Sequence, residues 1–290
     1  MKVCFCTIIG RPNVGKSSLL NAILSYNLSI VTATPQTTRD QIMGVYNEEG
    51  YQVIFTDTPG IHKPINKLGD ALNKNAYDTL KENDLVIFLS PGDEMLGKGD
   101  LMILENIKNI ENKIAIVSKI DKIKSQPELL VEKIERLNNY NFKQIISTST
   151  FNDKSISSLI EIIKTFAYED NAYYDEDFLT DKTMRFLAKE IIRESAINAL
   201  YEELPHSIAI DIEDFIESED SIEINAYIYV KKDSQKGMVI GEGGKKIKQI
   251  GMLARKKISA QFDTKVNLNL SVKVAKKWVD DEKAIKKFGY

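Results

Sequence analysis

Gly10-Arg11-Pro12-Asn13-Val14-Gly15-Lys16-Ser17-Ser18 follows an apolar run over residues 3–9 and precedes the helical pattern Leu19-Leu20-Asn21-Ala22-Ile23-Leu24. Gly10, Gly15, Lys16 and Ser17 occupy the fixed positions of G-x-x-x-x-G-K-[ST] in a strand, loop, helix setting. That arrangement makes a polyphosphate cradle. Backbone N–H groups turn inward, the helix starting near Lys16 adds the positive end of its dipole, and Lys16 adds a point charge. The Ser17 hydroxyl is expected to hold Mg²⁺. The cradle alone does not distinguish one base from another, or a switch from a kinase.

Residues 29–41 are polar and threonine-rich, with the tetrad Gln36-Thr37-Thr38-Arg39, and suit a segment that a ligand orders. Two alternating stretches, 42–46 and 52–55, predict a hairpin. The second runs into Asp57-Thr58-Pro59-Gly60, which places a carboxylate at a strand's C-terminal end beside the cradle. Asp57 is expected to hold Mg²⁺ through a water, and the Gly60 N–H to contact a γ-phosphate. Thr38 is the candidate for a second Mg²⁺ contact. Thr37 is the adjacent alternative, and the residues do not separate the two.

Apolar strands at 85–90, 113–118 and 144–147 alternate with helical patterns from about 100, at 127–137 and at 155–166. This predicts an α/β P-loop domain with a mainly parallel sheet and helices on both faces. Ser118-Lys119-Ile120-Asp121 directly follows one strand, and Ser147-Thr148-Ser149 the next. A carboxylate at Asp121 accepts both guanine N1–H and the 2-amino group, donors that adenine lacks at those positions. Lys119 is expected to lay its stem over the ring, and the Ser147 and Thr148 loop to bring a backbone N–H to guanine O6. GTP and GDP are therefore the expected ligands, and an ATP-dependent kinase conflicts with Asp121.

The second half differs in kind. An acidic, aromatic stretch over 169–180 reads as a linker between a domain at 1–168 and one at 181–290. The latter shows an amphipathic helix at about 181–201, strands near 207–216 and 221–230, a strand leading to the turn Gly241-Glu242-Gly243-Gly244, a Lys-rich helix, and a strand at 265–274. The whole chain has a net charge of −3, yet residues 225–290 carry 16 Lys or Arg against 6 Asp or Glu. A basic end on an acidic chain suggests a polyanionic partner, with solvated helix faces as the alternative. The glycine turn lets an RNA backbone approach, Lys236, Lys245, Lys246 and Lys248 supply charge, and Val239, Ile240 and Ile247 are expected to line a groove for unstacked bases. Cys4 and Cys6 alternate in the first strand as small buried residues. With no apolar run near the ~20 residues that span a bilayer, a cytoplasmic protein is expected.

GRPNVGKS, QTTRD, DTPGIHKP and the K-x-D loop, followed by VIGEGGKKIKQIG, resemble the Era family of bacterial ribosome-assembly GTPases over essentially the whole length. The resemblance implies a Ras-like GTPase domain and a type II KH domain. It also implies binding to the 3′ region of 16S ribosomal RNA, help in 30S subunit maturation, and peripheral association with the inner face of the membrane; a monomer is expected. The chain departs from the family in places. Ser118 replaces the Asn of N-K-x-D, which predicts weaker nucleotide binding with guanine choice retained. Thr148 replaces Ala, and Glu242 a basic residue. Ile61 follows Gly60 where Ras-type GTPases carry a water-positioning glutamine nearby, so slow turnover is expected, with Lys16, Thr38 and Gly60 as the catalytic set. Asn13 matches a position associated with a bound K⁺, a loop-shaping role being the alternative. His62 is expected to be an exposed turn residue. Ser118 and Ile61 leave open a constitutive RNA-binding protein whose nucleotide site is mainly structural.

Overall fold

The computed structural model describes residues 1–35 and 37–290, the side chains of residues 81 and 82 apart. Gln36 of the tetrad therefore lies outside the described residues. The chain divides into two compact units, one of residues 1–29, 38–64 and 69–181, the other of residues 30–37, 65–68 and 182–290.

In the first unit, β1 (Lys2–Ile9), β4 (Leu85–Pro91) and β5 (Lys113–Ser118) are apolar along their length because both sheet faces are covered. Around them are β2 (Ile42–Glu48), β3 (Tyr51–Asp57) and β6 (Gln144–Ser147), in the order β2-β3-β1-β4-β5-β6. Only β2 runs antiparallel on this path, as its hairpin with β3 requires. The helices are α1 (Lys16–Leu24), α2 (Lys67–Asp78), α3 (Lys98–Asn106), α4 (Pro127–Leu137) and α5 (Asp153–Lys164). One apolar cluster joins Phe88 and Val117 of the sheet to Ala76, Ile103 and Leu137 of α2, α3 and α4. Because β1, β3, β5 and β6 run parallel, the loops after them all open at one edge of the sheet, where α/β folds bind ligands.

The stretch expected as a linker is part of this unit. The short strand β7 (Tyr168–Glu169) pairs antiparallel with Lys2 and Val3, where β4 does not reach. Beyond it, polar side chains on the hairpin satisfy the irregular backbone. Asn47 Nδ2 donates to the carbonyls of Glu176 and Phe178, and the Val45 N–H to that of Leu179. Gln52 is wholly buried; its Oε1 accepts from the N–H groups of Tyr173 and Tyr174 while its Nε2 donates to Asn47 Oδ1 and the Tyr174 carbonyl. Gln52→Ala is expected to lower the unfolding free energy by about 2 kcal/mol, read from urea titration, because it strands these partners.

The second unit continues with α6 (Met184–Ala199), α7 (Leu204–Ser207), β8 (Ala209–Glu217), β9 (Ser221–Val230), α8 (Asp233–Ile240), α9 (Lys245–Phe262), β10 (Lys265–Val274) and α10 (Glu282–Lys287). Its sheet has the order β10-β9-β8, with β9 antiparallel to β8 and parallel to β10. Ile250, Ala254 and Ile258 recur every fourth residue on α9 and bury against a core shared with Ile191, Ile192 and Ala196 of α6 and Ile224 and Ile228 of β9. The segment before the glycine turn is the helix α8, not the expected strand. The basic tail packs home as well. Trp278 is buried and its indole N–H donates to the Ser207 carbonyl at 2.9 Å, with Ile285 and Phe288 buried beside it.

Candidate functional site

The cradle lies between Ile9 and Lys16, the end of β1 and the start of α1. Lys16 is buried, and its ammonium donates to the Gly10 and Arg11 carbonyls of its own loop at 3.1 and 2.9 Å. Burial pushes its pKa down to about 8, partly offset by the Asp57 carboxylate. The Arg11 guanidinium is ion-paired with Glu94 and Asp100, each at 2.8 Å, so what Arg11 offers the cradle is its carbonyl.

Asp57 closes β3 directly beside it. Ser17 Oγ donates to Asp57 Oδ2 at 2.7 Å and lies 2.8 Å from Thr38 Oγ1. Thr37 turns elsewhere, its hydroxyl bonding Thr32 Oγ1 and the Thr34 carbonyl, so of the two threonines Thr38 is the one that meets Ser17. Asp57 Oδ1 is buried with no hydrogen bond of good geometry among the described residues, and burial raises the pKa of the carboxyl against the influence of Lys16 and of the Ser17 and Ser29 hydroxyls. A buried carboxylate short of positive charge beside two hydroxyl oxygens fits a hard cation such as Mg²⁺. Among the described residues there is no group of three or more His, Cys, Asp or Glu suited to a metal, so phosphate and water oxygens would have to complete such a shell.

The residues after Asp57 divide between scaffold and cradle. Thr58 Oγ1 donates to the Ile8 carbonyl at 2.9 Å and thereby ties β3 to β1. Gly60 packs so tightly that a Cβ there would lie 2.7 Å from the Pro12 backbone. Ile61 is wholly buried in the apolar cluster, and its N–H donates to the Gly10 carbonyl at 3.1 Å. His62 is half-buried, contrary to its expected exposure. Its Nδ1 lies 3.0 Å from the Gly60 carbonyl, and Asn73 of α2 bonds its backbone at both the N–H and the carbonyl.

Opposite the cradle, the loop after β5 is fastened to it twice. Ser118 Oγ donates to the Val14 carbonyl at 2.7 Å, and Lys119 Nζ to the Asn13 carbonyl at 2.6 Å. Ser118 thus ties its loop to the cradle through a hydroxyl, where the family pattern has an asparagine. Asp121 Oδ1 accepts from Ser149 Oγ at 2.5 Å. A cavity of about 220 Å³ is lined by Gly15, Ser18, Lys119, Asp121, Thr150 and Phe151, among others. Thr148 also lines it, but Ser147 does not; it is the last residue of β6, paired with Val117. The serine that meets Asp121 is Ser149, two residues later. Ser147-Thr148-Ser149-Thr150 repeats one dipeptide, and only the four-residue length of β6 reveals which copy enters the site.

In the second unit, Gly241, Gly243 and Gly244 all have positive φ, and α9 begins directly after them. Lys236, Lys245, Lys248 and Glu242 are exposed; Lys246 is half-buried with Nζ 5.6 Å from the Tyr201 ring centroid. Val239 is wholly buried in the core and offers nothing to a ligand, which corrects its expected place in a groove. Ile240 and Ile247 remain half-buried. A groove of about 560 Å³ runs between α9 and β10, lined by Ile247, Lys248, Met252, Arg255, Leu268 and Leu270 among others.

Residues 5–123 match the family model of 50S ribosome-binding GTPases, and residues 203–279 that of KH domains. Over 290 residues the chain is 62% identical to GTPase Era of Mycoplasmopsis agalactiae, covering 100% of both chains. The chain belongs to the Era GTPase family. GTPase Era of Mycoplasmopsis pulmonis is 52% identical over 99% of each chain. A crystal structure of Era in complex with MgGDPNP and nucleotides 1506–1542 of 16S ribosomal RNA is similar at a TM-score of 0.95 and 33% identity, over 100% of this chain and 99% of that one. A tyrosine-to-alanine variant of Aquifex aeolicus Era bound to GDP and AlF4⁻ matches at 0.95 and 32% with the same coverage. A P-loop GTPase domain followed by a KH domain is the fold of this Era family member.

Proposed function

We propose that this protein is a GTP-binding and GTP-hydrolysing switch whose KH unit binds the 3′ region of 16S ribosomal RNA and assists 30S subunit maturation. The observation that carries the reading is one cavity lined both by cradle residues, Gly15 and Ser18, and by Asp121. Gly10 to Ser18 hold the phosphates, Asp121 takes the guanine N1–H and 2-amino group, and Lys119 covers one side of the ring. Ser17, Thr38 and Asp57 hold Mg²⁺, which when bound supplies positive charge to the β- and γ-phosphates. Lys16 exchanges its two loop carbonyls for phosphate oxygens, and the Gly60 N–H faces the γ-phosphate. With Ile61 in the core, no side chain at that position orients water, so intrinsic turnover is slow. Steady-state hydrolysis by the full chain is expected to rise when 30S subunits are added; identical rates with and without them would leave only a constitutive RNA-binding protein.

Arg11 is held by Glu94 and Asp100, and Asn13 would help hold a K⁺ that would supply the charge Arg11 does not. Turnover is expected to be several-fold faster in K⁺ than in Na⁺, and equal rates would leave Asn13 its loop-shaping role. RNA bases lie in the α9 and β10 groove with their backbone over Gly241 to Gly244, where the N-terminus of α9 and Lys236, Lys245, Lys246 and Lys248 meet phosphate. Peripheral contact with an anionic membrane would be electrostatic, through exposed Lys283, Lys286 and Lys287, since Ile285 and Phe288 are buried. Among the described residues no helix is long and apolar enough to cross a membrane.

Nucleotide binding also acquires a pH dependence. Free Lys16 has a pKa near 8, below its ordinary 10.5, because burial disfavours the ammonium. Phosphate favours the ammonium, so binding above pH 8 takes up a proton, and affinity falls by up to about tenfold per pH unit there. The nucleotide-free fold itself gains stability from this group between pH 8 and 10.5, where only the unfolded lysine stays protonated. Calorimetry at pH 9 in buffers of different ionisation enthalpy is expected to report the proton uptake, and buffer-independent heats would exclude it.

A further inference from the structure

We propose that Phe151 is the second stacking face for the base, opposite Lys119, and that it sets how long a guanine nucleotide stays bound. The inference rests on the guanine reading above and extends it to a residue that sequence reasoning passed over. Phe151 is 87% exposed, an unusual position for an apolar ring, yet it lines the same cavity as Asp121 and Lys119. Its backbone is in register with the base-reading group. The Phe151 N–H donates to Ser149 Oγ at 3.3 Å, and that hydroxyl donates to Asp121 Oδ1 at 2.5 Å.

The loop that carries the ring is pinned on both sides. Ser155 Oγ donates to the Ser149 carbonyl at 2.9 Å, and the Asn152 side chain caps α5. Lys119 is held against the cradle; its Cε would lie 3.9 Å from a Cβ on Gly15, and its ammonium bonds the Asn13 carbonyl. One wall of the cavity is therefore an aliphatic stem fixed to the phosphate loop, and the rim carries an aromatic ring fixed to the base loop. A base seated on Asp121 would remove part of the ring from water and stack on its face.

Stacking acts on any base, whereas Asp121 acts on guanine alone, and the two contributions have different signatures. In the full chain, Phe151→Ala is expected to raise the GDP Kd about tenfold, mainly through faster dissociation. The ratio of GDP to ADP affinity should be retained, and binding of inorganic triphosphate, which has no base, should be unchanged. Phe151→Trp is expected to keep GDP affinity and to show fluorescence quenching on GDP addition, above the background of the buried Trp278 recorded in the wild type. An unchanged GDP Kd and dissociation rate in Phe151→Ala would overturn the proposal. So would an equal loss for inorganic triphosphate, which would mean that the loop had merely been disturbed. Failure of the guanine reading looks different, since the wild-type chain would then bind GDP and ADP alike before any substitution is made.

Discussion

Asp121→Asn is expected to weaken GDP binding by about a thousandfold or more and to make xanthosine diphosphate the preferred ligand. In the proposed site Asp121 would accept two donors from guanine, and Ser149 Oγ donates to the same carboxylate at 2.5 Å. An asparagine amide keeps one acceptor for N1–H but turns a donor toward the 2-amino group, leaving two donors facing each other in a partly closed cavity. Sites built to pair a polar edge reject the wrong edge by about 10⁴ to 10⁵, and some relaxation of the exposed rim moderates that here. Xanthine carries a carbonyl where guanine has the amino group and accepts from the same amide. Ser149 can still donate to the asparagine oxygen, so the loop geometry survives. Competition binding with GDP and xanthosine diphosphate reads both halves of the result. A uniform loss for both ligands would mean that Asp121 shapes the loop without reading the base.

The second large effect lies in the KH unit. Gly243→Asp is expected to weaken binding of a 16S 3′-end RNA fragment by about a hundredfold or more while leaving GDP affinity unchanged and lowering stability by only about 1 kcal/mol. Gly243 has φ +57, a conformation that aspartate tolerates better than most residues, and a Cβ there would meet nothing within 4 Å. The fold therefore accepts the side chain. The RNA backbone would not, because a second carboxylate beside Glu242 at the mouth of the loop opposes phosphate, and like charges brought together at an interface cost several kcal/mol. RNA affinity equal to wild type would remove Gly241 to Gly244 from the RNA site.

Much of the first unit is legible because its physics is local. Strands buried on both faces are continuous apolar runs, and the cradle follows from spacing alone. Where reading failed, non-local satisfaction was responsible. The stretch after Glu169 looks like a linker because nothing in it is periodic; its backbone is held instead by Gln52 and Asn47, more than 100 positions earlier. α2 escapes notice because Leu68, Leu72 and Ala76 form a narrow stripe in a polar segment that contains Gly69. α8 is short, includes Gly237, and ends on Met238-Val239-Ile240, which reads as a strand.

The candidate site shows the same division. Lys16 and Ser17 open α1, Asp57 closes β3 and Asp121 follows β5 by three residues, so each stands out from the short fixed motif that carries it. The choice of Thr38 over Thr37, and of Ser149 over Ser147, depends on where a neighbouring chain ends or turns. That Ser118 still reaches the cradle is hidden for a related reason, since it depends on the 2.7 Å approach of the Val14 carbonyl. Val239 was misplaced because one turn of helix, not alternation, determines which of three adjacent apolar residues faces inward.

A single cavity joins the phosphate cradle to Asp121, the carboxylate proposed to read guanine. The most direct test of that reading is competition of GDP and ADP for the full chain at pH 7 with Mg²⁺ present. GDP is expected to bind at least about a hundredfold more tightly, and comparable affinities for the two nucleotides would contradict a guanine-reading site.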